Sequence, residues 1–581
     1  MCGLLGLVAK RNKIIHYKSY LDNALDTLTH RGPDQSGVYY NEKVYLGHKR
    51  LSIIDLDSGE QPMISSDGRY IIVFNGEIFN FEKIKNSLKN KGYFFKTNSD
   101  TEVILSAYNY FGHECLKYFN GMFSIAIWDS LKRELFLARD RFGIKPLFYA
   151  KQSDTIIFSS EIKAIYKTGL LNFKPKYDNF NEFLVFGYIS GEETMHYNIN
   201  ELEPAHYLIW SDKIFTKKQY WNLKPEKILL DYNLDDASKK LINAVDTWLT
   251  SDVEVGSLLS GGVDSNVLAM IASKNLKNIT TFGGILEHDP ENNEENLINI
   301  ALKKLKGDHY SIKIKNKFLE NNFFKLIDHF DDPIHDSNYF SLMAICDEIK
   351  KYTNYKVVIC GEGADEIFGG YERYIKFSKQ YEKNSFDNLI YSYNHVAIPR
   401  LKLITQDPVI ISRRRYEIFN EIRSDDIFNT LLYYDQRTFL GSYLHRQDRV
   451  GMMYGLEIRT PYLDHHLANY INSITSKKKY NSKYQKLILR LIGEKIIDNR
   501  IIWDNQKIAF SFPISKLLKN GFLYFQFKRL FKNGFLIEEI YNLNGISKLL
   551  HEHSKGIDHS NTLWRILCLE YWLQSMKNKH C

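Results

Sequence analysis

The pattern of apolar residues changes near residue 230, and this change constrains the fold more than any other feature of the chain. Up to about residue 190, short β-branched and aromatic runs such as 70–74 and 123–128 are separated by Gly, Asn and Asp turns. From about residue 230, apolar strands alternate with helices, as in the strand 253–259 and the helix 264–275. Such alternation indicates a parallel sheet with helices on its faces. The 581 residues therefore divide into at least two domains.

The expected organisation has three parts. Residues 2–190 form an α+β domain with sandwiched sheets. Residues 191–230 form a connecting segment. Residues 231–581 form an α/β parallel-sheet domain whose last part, from about 375, is mainly helical.

Composition and charge narrow the classes of function. The chain is 44% hydrophobic and 25% charged, which is typical of globular proteins. The net charge of +8 is spread along the chain and builds no basic stripe, so we expect no nucleic-acid partner. No run of 18 apolar residues predicts a membrane span. The six cysteines have neither paired nor zinc-like spacing and no signal peptide is visible, so a cytoplasmic location is expected.

The second residue is a candidate nucleophile. Removal of Met1 would leave Cys2 with a free α-amino group, whose ordinary pKa of about 7.7–8.0 suits it to accept a proton from a thiol. One residue would then supply both the nucleophile and the base. Taken alone, a cysteine at the second position is more often an inert thiol than a nucleophile.

A series of motifs follows Cys2 along the first part of the chain. They are Met1-Cys-Gly-Leu-Leu-Gly6, His30-Arg-Gly-Pro-Asp34, Arg50-Leu-Ser-Ile-Ile-Asp55, Phe74-Asn-Gly-Glu-Ile78 and Ala138-Arg-Asp-Arg-Phe-Gly-Ile-Lys-Pro-Leu147. On these motifs, residues 2–190 resemble the class II glutamine amidotransferases, which use an N-terminal nucleophile.

The resemblance implies a role for each of several residues in glutamine hydrolysis. Asn75 and the backbone N–H of Gly76 match the oxyanion hole, where donors face the developing charge. Arg50 matches the group that holds the glutamine carboxylate, and Glu77 and Asp100 match those that face its ammonium. Without the resemblance, Arg50 would be read as a surface ion pair and Asp100 as the N-cap of the helix after it.

A glycine loop opens the second domain. Leu259 ends an apolar strand, and Ser-Gly-Gly-Val-Asp-Ser follows at 260–265, before a helix. Glycines allow backbone N–H groups to approach an anion at a helix N-terminus. The loop resembles the pyrophosphate loop of ATP pyrophosphatases, which implies ATP binding. The implied ATP-binding residues are Leu259, Ser260, Gly261, Gly262 and Ser265, and Asp264 is the implied Mg²⁺ ligand.

A second glycine-rich turn follows another strand. The block Val-Val-Ile-Cys-Gly-Glu-Gly-Ala-Asp-Glu-Ile-Phe-Gly-Gly-Tyr at 357–371 resembles that of the glutamine-dependent asparagine synthetases. The resemblance implies that Asp365 is a second Mg²⁺ carboxylate and that Cys360 and Gly361 line the ATP site. It also implies that Glu362 contacts the acceptor, or supports its adenylate and the incoming ammonia.

Further matches extend the resemblance over nearly the whole chain. They lie at 443–449, at 457–464 and at 507–513, and Lys486 falls near the pyrophosphate lysine of the family, while Gly284 falls in the stretch beneath the adenine. The implied reaction is the ATP-dependent amidation of a carboxylate through an acyl-adenylate. Glutamine supplies the ammonia, and AMP, pyrophosphate and glutamate are released.

The acceptor is less constrained, because the segments 282–285 and 331–338 and Cys360 depart from the usual pattern. Aspartate, giving asparagine, is the favoured acceptor. Two alternatives are a different carboxylate, such as a sugar uronic acid of surface polysaccharide or a secondary-metabolite precursor, and a non-catalytic protein that binds glutamine or nucleotide. A homodimer is compatible with this sequence, which does not determine the oligomeric state.

Overall fold

The computed structural model describes residues 2–10, 14–276, 278–287, 294–381, 393, 402–405, 413–504 and 510–580. Of the sequence matches, Lys507 to Ala509 lie outside the described residues. Within the described part of the chain, none of the helices is both long and apolar enough to cross a membrane.

Two six-stranded sheets make up the first part of the molecule. The first has the order β10-β8-β9-β1-β3-β2, and the second has the order β12-β11-β7-β6-β5-β4. Neighbouring strands within both sheets are antiparallel. The strands are β1 Gly3–Ala9, β2 Gln35–Tyr40, β3 Val44–Arg50, β4 Met63–Ile64, β5 Tyr70–Ile78, β6 Gly121–Asp129, β7 Glu134–Arg139, β8 Phe148–Lys151, β9 Thr155–Ser159, β10 Asn200–Glu201, β11 His206–Trp210 and β12 Phe215–Gln219.

The two sheets pack face to face. Leu4 and Phe158 of the first sheet and Val73 and Trp128 of the second belong to one buried cluster between them. Because successive side chains of a strand point to opposite faces, Leu5 and Leu7 face away from this layer and join another buried cluster with helix α1. The helices of this part are α1 Ile14–Asp26, α2 Phe81–Lys89, α3 Asp100–Phe111, α4 Ile162–Lys167 and α5 Phe180–Phe186. The result is an α+β sandwich.

Strands continue beyond residue 190, where the sequence predicts only a connection. β10 pairs with β8, and β11 pairs with both β7 and β12, so residues 200–219 complete the two sheets of the sandwich. These strands are short, and β12 is exposed along much of its length. The apolar pattern that predicts the earlier strands is therefore weak in β10 and β12, whereas β11, His-Tyr-Leu-Ile-Trp, is apolar and largely buried.

The second part is built on a parallel sheet of five strands in the order β15-β14-β13-β16-β17. The strands are β13 Val255–Leu258, β14 Thr281–Leu286, β15 His309–Ile314, β16 Val357–Ile359 and β17 Glu457–Arg459. Helices connect them: α6 Leu234–Trp248, α7 Val263–Asn275, α8 Glu295–Leu302, α9 Phe318–His329, α10 Asn338–Tyr352, α11 Ala364–Phe368 and α12 Glu372–Tyr381. The loops after β13 and β16 meet at the carboxyl edge of the sheet, where ligands of α/β proteins bind.

The last part of the chain is mainly helical, as predicted. The helices are α13 Arg413–Ile422, α14 Ile427–Arg437, α15 Phe439–Met453, α16 His465–Asn472, α17 Leu487–Glu494, α18 Asn499–Ile502, α19 Ile514–Asn520, α20 Phe522–Asn533, α21 Leu543–Ser554 and α22 Ser560–His580. Trp564 and Trp572 of α22 are fully buried. Helix α15 contacts both parts of the molecule: Asp448 accepts from Arg31 of the first part, and Arg446 donates to Glu362 of the second.

Candidate active sites

The backbone of Cys2 is held from two sides. Cys2 precedes β1 and is 6% exposed. Its backbone N donates to Asn75 Oδ1 at 2.8 Å, and its carbonyl oxygen accepts from Nε of Arg31 at 3.0 Å. Burial raises the pKa of the Cys2 thiol. A thiol in this setting needs a base close to it before it can act as a nucleophile.

Asn75 and Gly76 lie beside Cys2 on β5. With Oδ1 of Asn75 accepting from Cys2, its amide nitrogen Nδ2 is buried and has no hydrogen-bond partner among the described residues. Leaving a buried donor unpaired is costly, so this atom marks a place for an acceptor. Gly76 has φ of +146°, and a side chain there would overlap the carbonyl oxygen of Met122. Glycine therefore suits this position, which lines the same pocket as Cys2.

Arg50 reaches the same small pocket from β3. The pocket is lined by Cys2, Arg50, Gly76, Glu77 and Asp100, among others. The Arg50 guanidinium is 4% exposed and donates to the side chain of Gln35 at 2.8 Å. It also donates to three backbone carbonyls at 54–56, and the longest of these bonds, to Leu56, is 3.3 Å. A substrate carboxylate would compete with that weakest bond.

Glu77 and Asp100 form the acidic wall of the pocket. Burial raises the pKa of both carboxyls, that of Asp100 to about 6, and the mutual repulsion of the two groups raises the pKa of Glu77 further. Glu457, which belongs to the second part of the chain, adds to the rise for both groups. Two buried carboxyls that share a pocket are suited to a cationic ligand, because such a ligand lowers the cost of ionising them.

The alternative role of Asp100 as a helix cap is wrong. Helix α3 begins at Asp100, and its N-cap is Ser99, whose side chain accepts from the backbone N of Thr101. The carboxylate of Asp100 instead accepts from the backbone N of Ile78 at 2.9 Å. The cap is thus one residue earlier than the acidic pattern suggests, and the Asp100 side chain is directed to β5.

The loop after β13 folds around two serine hydroxyls. Ser265 Oγ accepts from the backbone N of Ser260 and lies 3.0 Å from Ser260 Oγ. Gly262 is the N-cap of α7, and its backbone N donates to Ser260 Oγ at 3.2 Å. The backbone N of Gly261 donates to a carboxylate oxygen of Glu294 at 3.0 Å. A loop N–H thus already binds an anion, which is the chemistry expected of a phosphate loop.

Asp264, Asp365 and Lys486 come together from three distant segments. Nζ of Lys486 lies 2.6 Å from Oδ2 of Asp264 and 2.8 Å from Oδ1 of Asp365. Burial lowers the pKa of the Lys486 ammonium, but the two carboxylates outweigh it and hold the pKa above its ordinary value. A side chain at Gly370 would overlap both Asp365 and Lys486, so the glycine permits this close approach.

Glu362 lies in the same cleft on the loop after β16. Its carboxylate accepts from the guanidinium of Arg446 and, at 2.9 Å, from Nε2 of Gln447. Both partners come from α15. They were missed by the sequence reasoning, although they lie within the matched stretch 443–449.

One cleft at the edge of the parallel sheet gathers most of the residues predicted for this domain. Its lining includes Leu259, Ser260, Asp264, Ser265, Gly284, Cys360, Gly361, Glu362 and Asp365. The remaining three, Gly261, Gly262 and Lys486, line an adjoining cleft that shares Ser260, Asp264 and Asp365 with the first. Gly284 faces the ring of Phe510, which a side chain at 284 would overlap. Glu294, Asp336 and Asn338 also line the cleft, and no motif indicated them.

Fold and sites define a class of enzyme: an N-terminal-nucleophile glutamine amidotransferase joined to an ATP pyrophosphatase-type synthetase. Residues 1–221 match the family model of the glutamine amidotransferase domain, and residues 236–574 match that of asparagine synthase. The chain belongs to the family of glutamine-hydrolysing asparagine synthetases. It is a glutamine-dependent amidotransferase and carbon–nitrogen ligase that uses glutamine and ATP.

Relatives span nearly the whole chain at modest identity. Asparagine synthetase [glutamine-hydrolyzing] 1 of Bacillus subtilis is 28% identical over 98% of this chain and 96% of its own. Asparagine synthetase [glutamine-hydrolyzing] 3 of the same organism is 30% identical over 87% and 86%. Among solved structures, glutamine phosphoribosylpyrophosphate amidotransferase from B. subtilis is 17% identical, covers 62% of this chain and 82% of its own, and has a TM-score of 0.30. A likeness at that TM-score adds nothing to the assignment.

Proposed function

We propose that the enzyme amidates aspartate to asparagine through a β-aspartyl adenylate, with release of AMP, pyrophosphate and glutamate. The observation that carries the adenylation step is the placement of the loop 260–265, the pair Asp264 and Asp365 and the carboxylate of Glu362 around one cleft. Aspartate as the acceptor is supported by the names of the two B. subtilis relatives.

In the glutaminase site, the thiol of Cys2 would attack the side-chain amide carbon of glutamine. The backbone nitrogen of Cys2 donates a hydrogen bond to Asn75 Oδ1. Removal of Met1 would make this nitrogen a free α-amino group beside the thiol, where it can accept the thiol proton. Nδ2 of Asn75 and the N–H of Gly76 would stabilise the oxyanion. Loss of ammonia leaves a γ-glutamyl thioester, which water hydrolyses to glutamate.

The same pocket would bind the rest of glutamine by charge. Arg50 would hold the α-carboxylate and exchange its weak bond to the carbonyl of Leu56 for a charge-assisted one. Glu77 and Asp100 would face the α-ammonium. Burial disfavours the ionised forms of both carboxyls and raises their pKa values, and a bound ammonium would stabilise those ionised forms.

In the synthetase site, the backbone of the loop and the two serines, Ser260 and Ser265, would bind the pyrophosphate of ATP. Asp264 and Asp365 would hold Mg²⁺. These residues fit that ion, because two hard oxygen ligands already converge on one cation, the ammonium of Lys486. The ion would neutralise phosphate charge. Lys486, at the wall between the two clefts, would contact the leaving pyrophosphate.

Glu362 would act at the acceptor. Arg446 and Gln447 fix its carboxylate within the cleft, where it can receive a proton as ammonia attacks the adenylate. Attack forms the C–N bond, breaks the bond to the AMP oxygen and releases a proton from the attacking nitrogen.

A different carboxylate is the second candidate acceptor, and one unpaired atom favours it. Oδ1 of Asn338, which lines the cleft, is buried and has no hydrogen-bond partner among the described residues. Asn338 lies in the segment 331–338, which departs from the family pattern. Such a group calls for a polar partner on a ligand, and a hydroxyl-rich uronic acid supplies more hydrogen-bonding groups than aspartate does.

The test is pyrophosphate release by the purified enzyme with glutamine, Mg-ATP and one carboxylate at a time. We expect release that depends on aspartate, with one asparagine formed per pyrophosphate. Release with a uronic acid and none with aspartate would replace the proposed acceptor. Hydrolysis of glutamine without pyrophosphate from any carboxylate would contradict the adenylation step.

A further inference from the structure

Arg31 contacts the backbone of the proposed nucleophile, Cys2. It belongs to the motif His30-Arg-Gly-Pro-Asp34, whose sequence does not show which residues Arg31 binds. Its side chain is fully buried and belongs to the loop between α1 and β2. Nε of Arg31 donates to the carbonyl oxygen of Cys2 at 3.0 Å. The guanidinium thus contacts the backbone of the nucleophile and is not among the residues that line the glutamine pocket.

The other end of the guanidinium is held by the second part of the molecule. Nη1 and Nη2 of Arg31 donate to the two carboxylate oxygens of Asp448 at 2.7 and 3.0 Å. Nη1 also donates to Glu161 at 3.0 Å. A buried bidentate, charge-assisted pair is among the most directional contacts in a protein. Asp448 therefore fixes the plane of the group that binds the Cys2 carbonyl.

Asp448 belongs to the same helical turn that holds the acceptor-site carboxylate. On α15, Arg446 and Gln447 contact Glu362, and the next residue is Asp448. Arg449 then binds Asp331 at 2.7 Å and lies 3.4 Å from Glu161. All four side chains are at least nine-tenths buried. A rotation or shift of this turn would move the partners of Glu362 and of Arg31 together, because residues adjacent on a helix rise by only about 1.5 Å.

We propose that Arg31 is a positioning residue for Cys2, and that Asp448 makes its position depend on the helix that carries the acceptor-site contacts. The Asp448–Arg31 link would then join glutamine hydrolysis to the synthetase domain by a direct mechanical contact. This inference rests on the proposed role of Cys2 as the nucleophile and does not depend on which carboxylate is the acceptor.

The test is Asp448→Asn in the full-length enzyme, assayed first for glutamate release from glutamine alone. The variant keeps the shape of the side chain and removes the charge that orients Arg31. We expect kcat for glutamine hydrolysis to fall about tenfold while KM for glutamine changes less than twofold, because misplacing a reacting group costs rate and Arg31 does not line the substrate pocket. Asp448→Glu, which keeps the charge, should recover most of the lost rate.

A second assay supplies ammonium in place of glutamine and measures pyrophosphate release. We expect Asp448→Asn to stay within twofold of wild type here. The matched control is Asp129→Asn, which removes the same charge from a comparable bidentate pair with Arg69 at the end of β6, away from both sites. It should leave both activities unchanged.

Two results would overturn the proposal. One is an unchanged kcat for glutamine hydrolysis in Asp448→Asn. The other is an equal fall of the glutamine and ammonium activities, which would show general damage. If Asp448→Asn does not fold, Arg31→Lys serves instead, because lysine keeps the charge and loses the two-point contact, and the same split is expected. Absence of pyrophosphate from wild type with aspartate would count against the proposed acceptor, and the glutamine assay would still decide on the link.

Discussion

The two active sites are built in opposite ways. In the glutaminase site, the groups that surround the substrate pocket are held largely by backbone: Cys2 by β1, Asn75 and Gly76 by β5, and Arg50 by three carbonyl oxygens. In the synthetase site, side chains hold one another: Lys486 binds Asp264 and Asp365, and Arg446 binds Glu362. The first site is built on strands of the two packed sheets, whereas the second is a set of charges collected from separate segments of the chain.

This difference indicates what each site has to accommodate. A pocket fixed by strands suits one small substrate and one oxyanion, since preorganised donors stabilise charge without rearrangement. A site of paired charges suits a polyanion and its metal, because the internal ion pairs can be exchanged for contacts with the ligand. Helix α15 contacts Arg31, which binds the Cys2 backbone, and Glu362 of the synthetase cleft. A movement of this helix would therefore affect both sites.

The strongest way to separate the two sites is Cys2→Ala. We expect hydrolysis of glutamine to fall by a factor on the order of 10⁴ or more, because the covalent route is lost. Amidation with ammonium should remain, since no group of the synthetase cleft is altered. The measurements are glutamate release from glutamine and pyrophosphate release with ammonium, made on the same preparation of the variant. Cys115→Ala, at another buried thiol of the first domain, is the control. Retention of glutaminase activity in Cys2→Ala would remove Cys2 as the nucleophile.

The converse change is Asp365→Asn. Loss of this carboxylate would leave one of the two proposed Mg²⁺ ligands and would remove one ion pair of Lys486, and we expect ATP-dependent pyrophosphate release to fall about 10²–10³-fold. Glutamine hydrolysis in the absence of ATP should be unaffected. The control is Asp347→Asn, which breaks another Asp–Lys pair on the exposed face of α10. Equal rates for Asp365→Asn and wild type would contradict the role of Asp365.

The same contrast explains how far the sequence predicts each site. The glutaminase groups lie in short contiguous motifs, so their matches name the pocket residues directly, and the structure brings Cys2, Arg50, Gly76, Glu77 and Asp100 around one pocket with Asn75 at its edge. The phosphate loop is contiguous as well. Strand and helix periodicity likewise predicts both sheet types, which depend on local alternation.

The features that the sequence did not reveal depend on contacts between distant segments. Three interactions illustrate this: Gly261 with Glu294, Asp100 with Glu457, and Arg31 with Asp448. The two residues of each interaction lie at least 33 positions apart in the chain. No periodicity or spacing reports such pairs. Within 200–219, β10 has only two residues and β12 is an exposed edge strand, so neither carries an apolar pattern. β11 lies between β7 and β12, and its apolar run His-Tyr-Leu-Ile-Trp could have been predicted as a strand from the sequence.

We expect glutamine binding in the first site to weaken as the pH falls. Asp100 has a pKa raised to about 6 by burial, and its proposed contact with the substrate ammonium requires the ionised carboxylate. Above this pH the charge is present, and as the pH falls through about 6 the group is protonated. KM for glutamine should therefore rise, approaching about tenfold per pH unit on the acid side.

The measurement is KM for glutamine between pH 5 and 8, with circular dichroism to show that the fold persists. Asp100→Asn is the control: its KM should already be high at neutral pH and should rise less steeply through pH 6, because of the two carboxyls only Glu77, whose pKa is also raised, still titrates there. A wild-type KM that stays level down to pH 5 would mean that Asp100 does not contribute its charge to binding.

The smallest effect is expected at the cysteine of the synthetase site. Burial raises the pKa of the Cys360 thiol to about 12, so this thiol is neutral and, unlike Cys2, has no α-amino group to activate it. Cys360→Ser replaces a weak donor with a stronger one of similar size at the wall of the cleft. One hydrogen bond is worth about 0.5–1 kcal/mol, so KM for ATP should fall by roughly two- to fivefold, with kcat and glutaminase activity unchanged. Initial rates over a range of ATP concentrations measure this. A loss of more than about tenfold would show that the thiol itself takes part in the chemistry, and the contrast between the two cysteines would no longer hold.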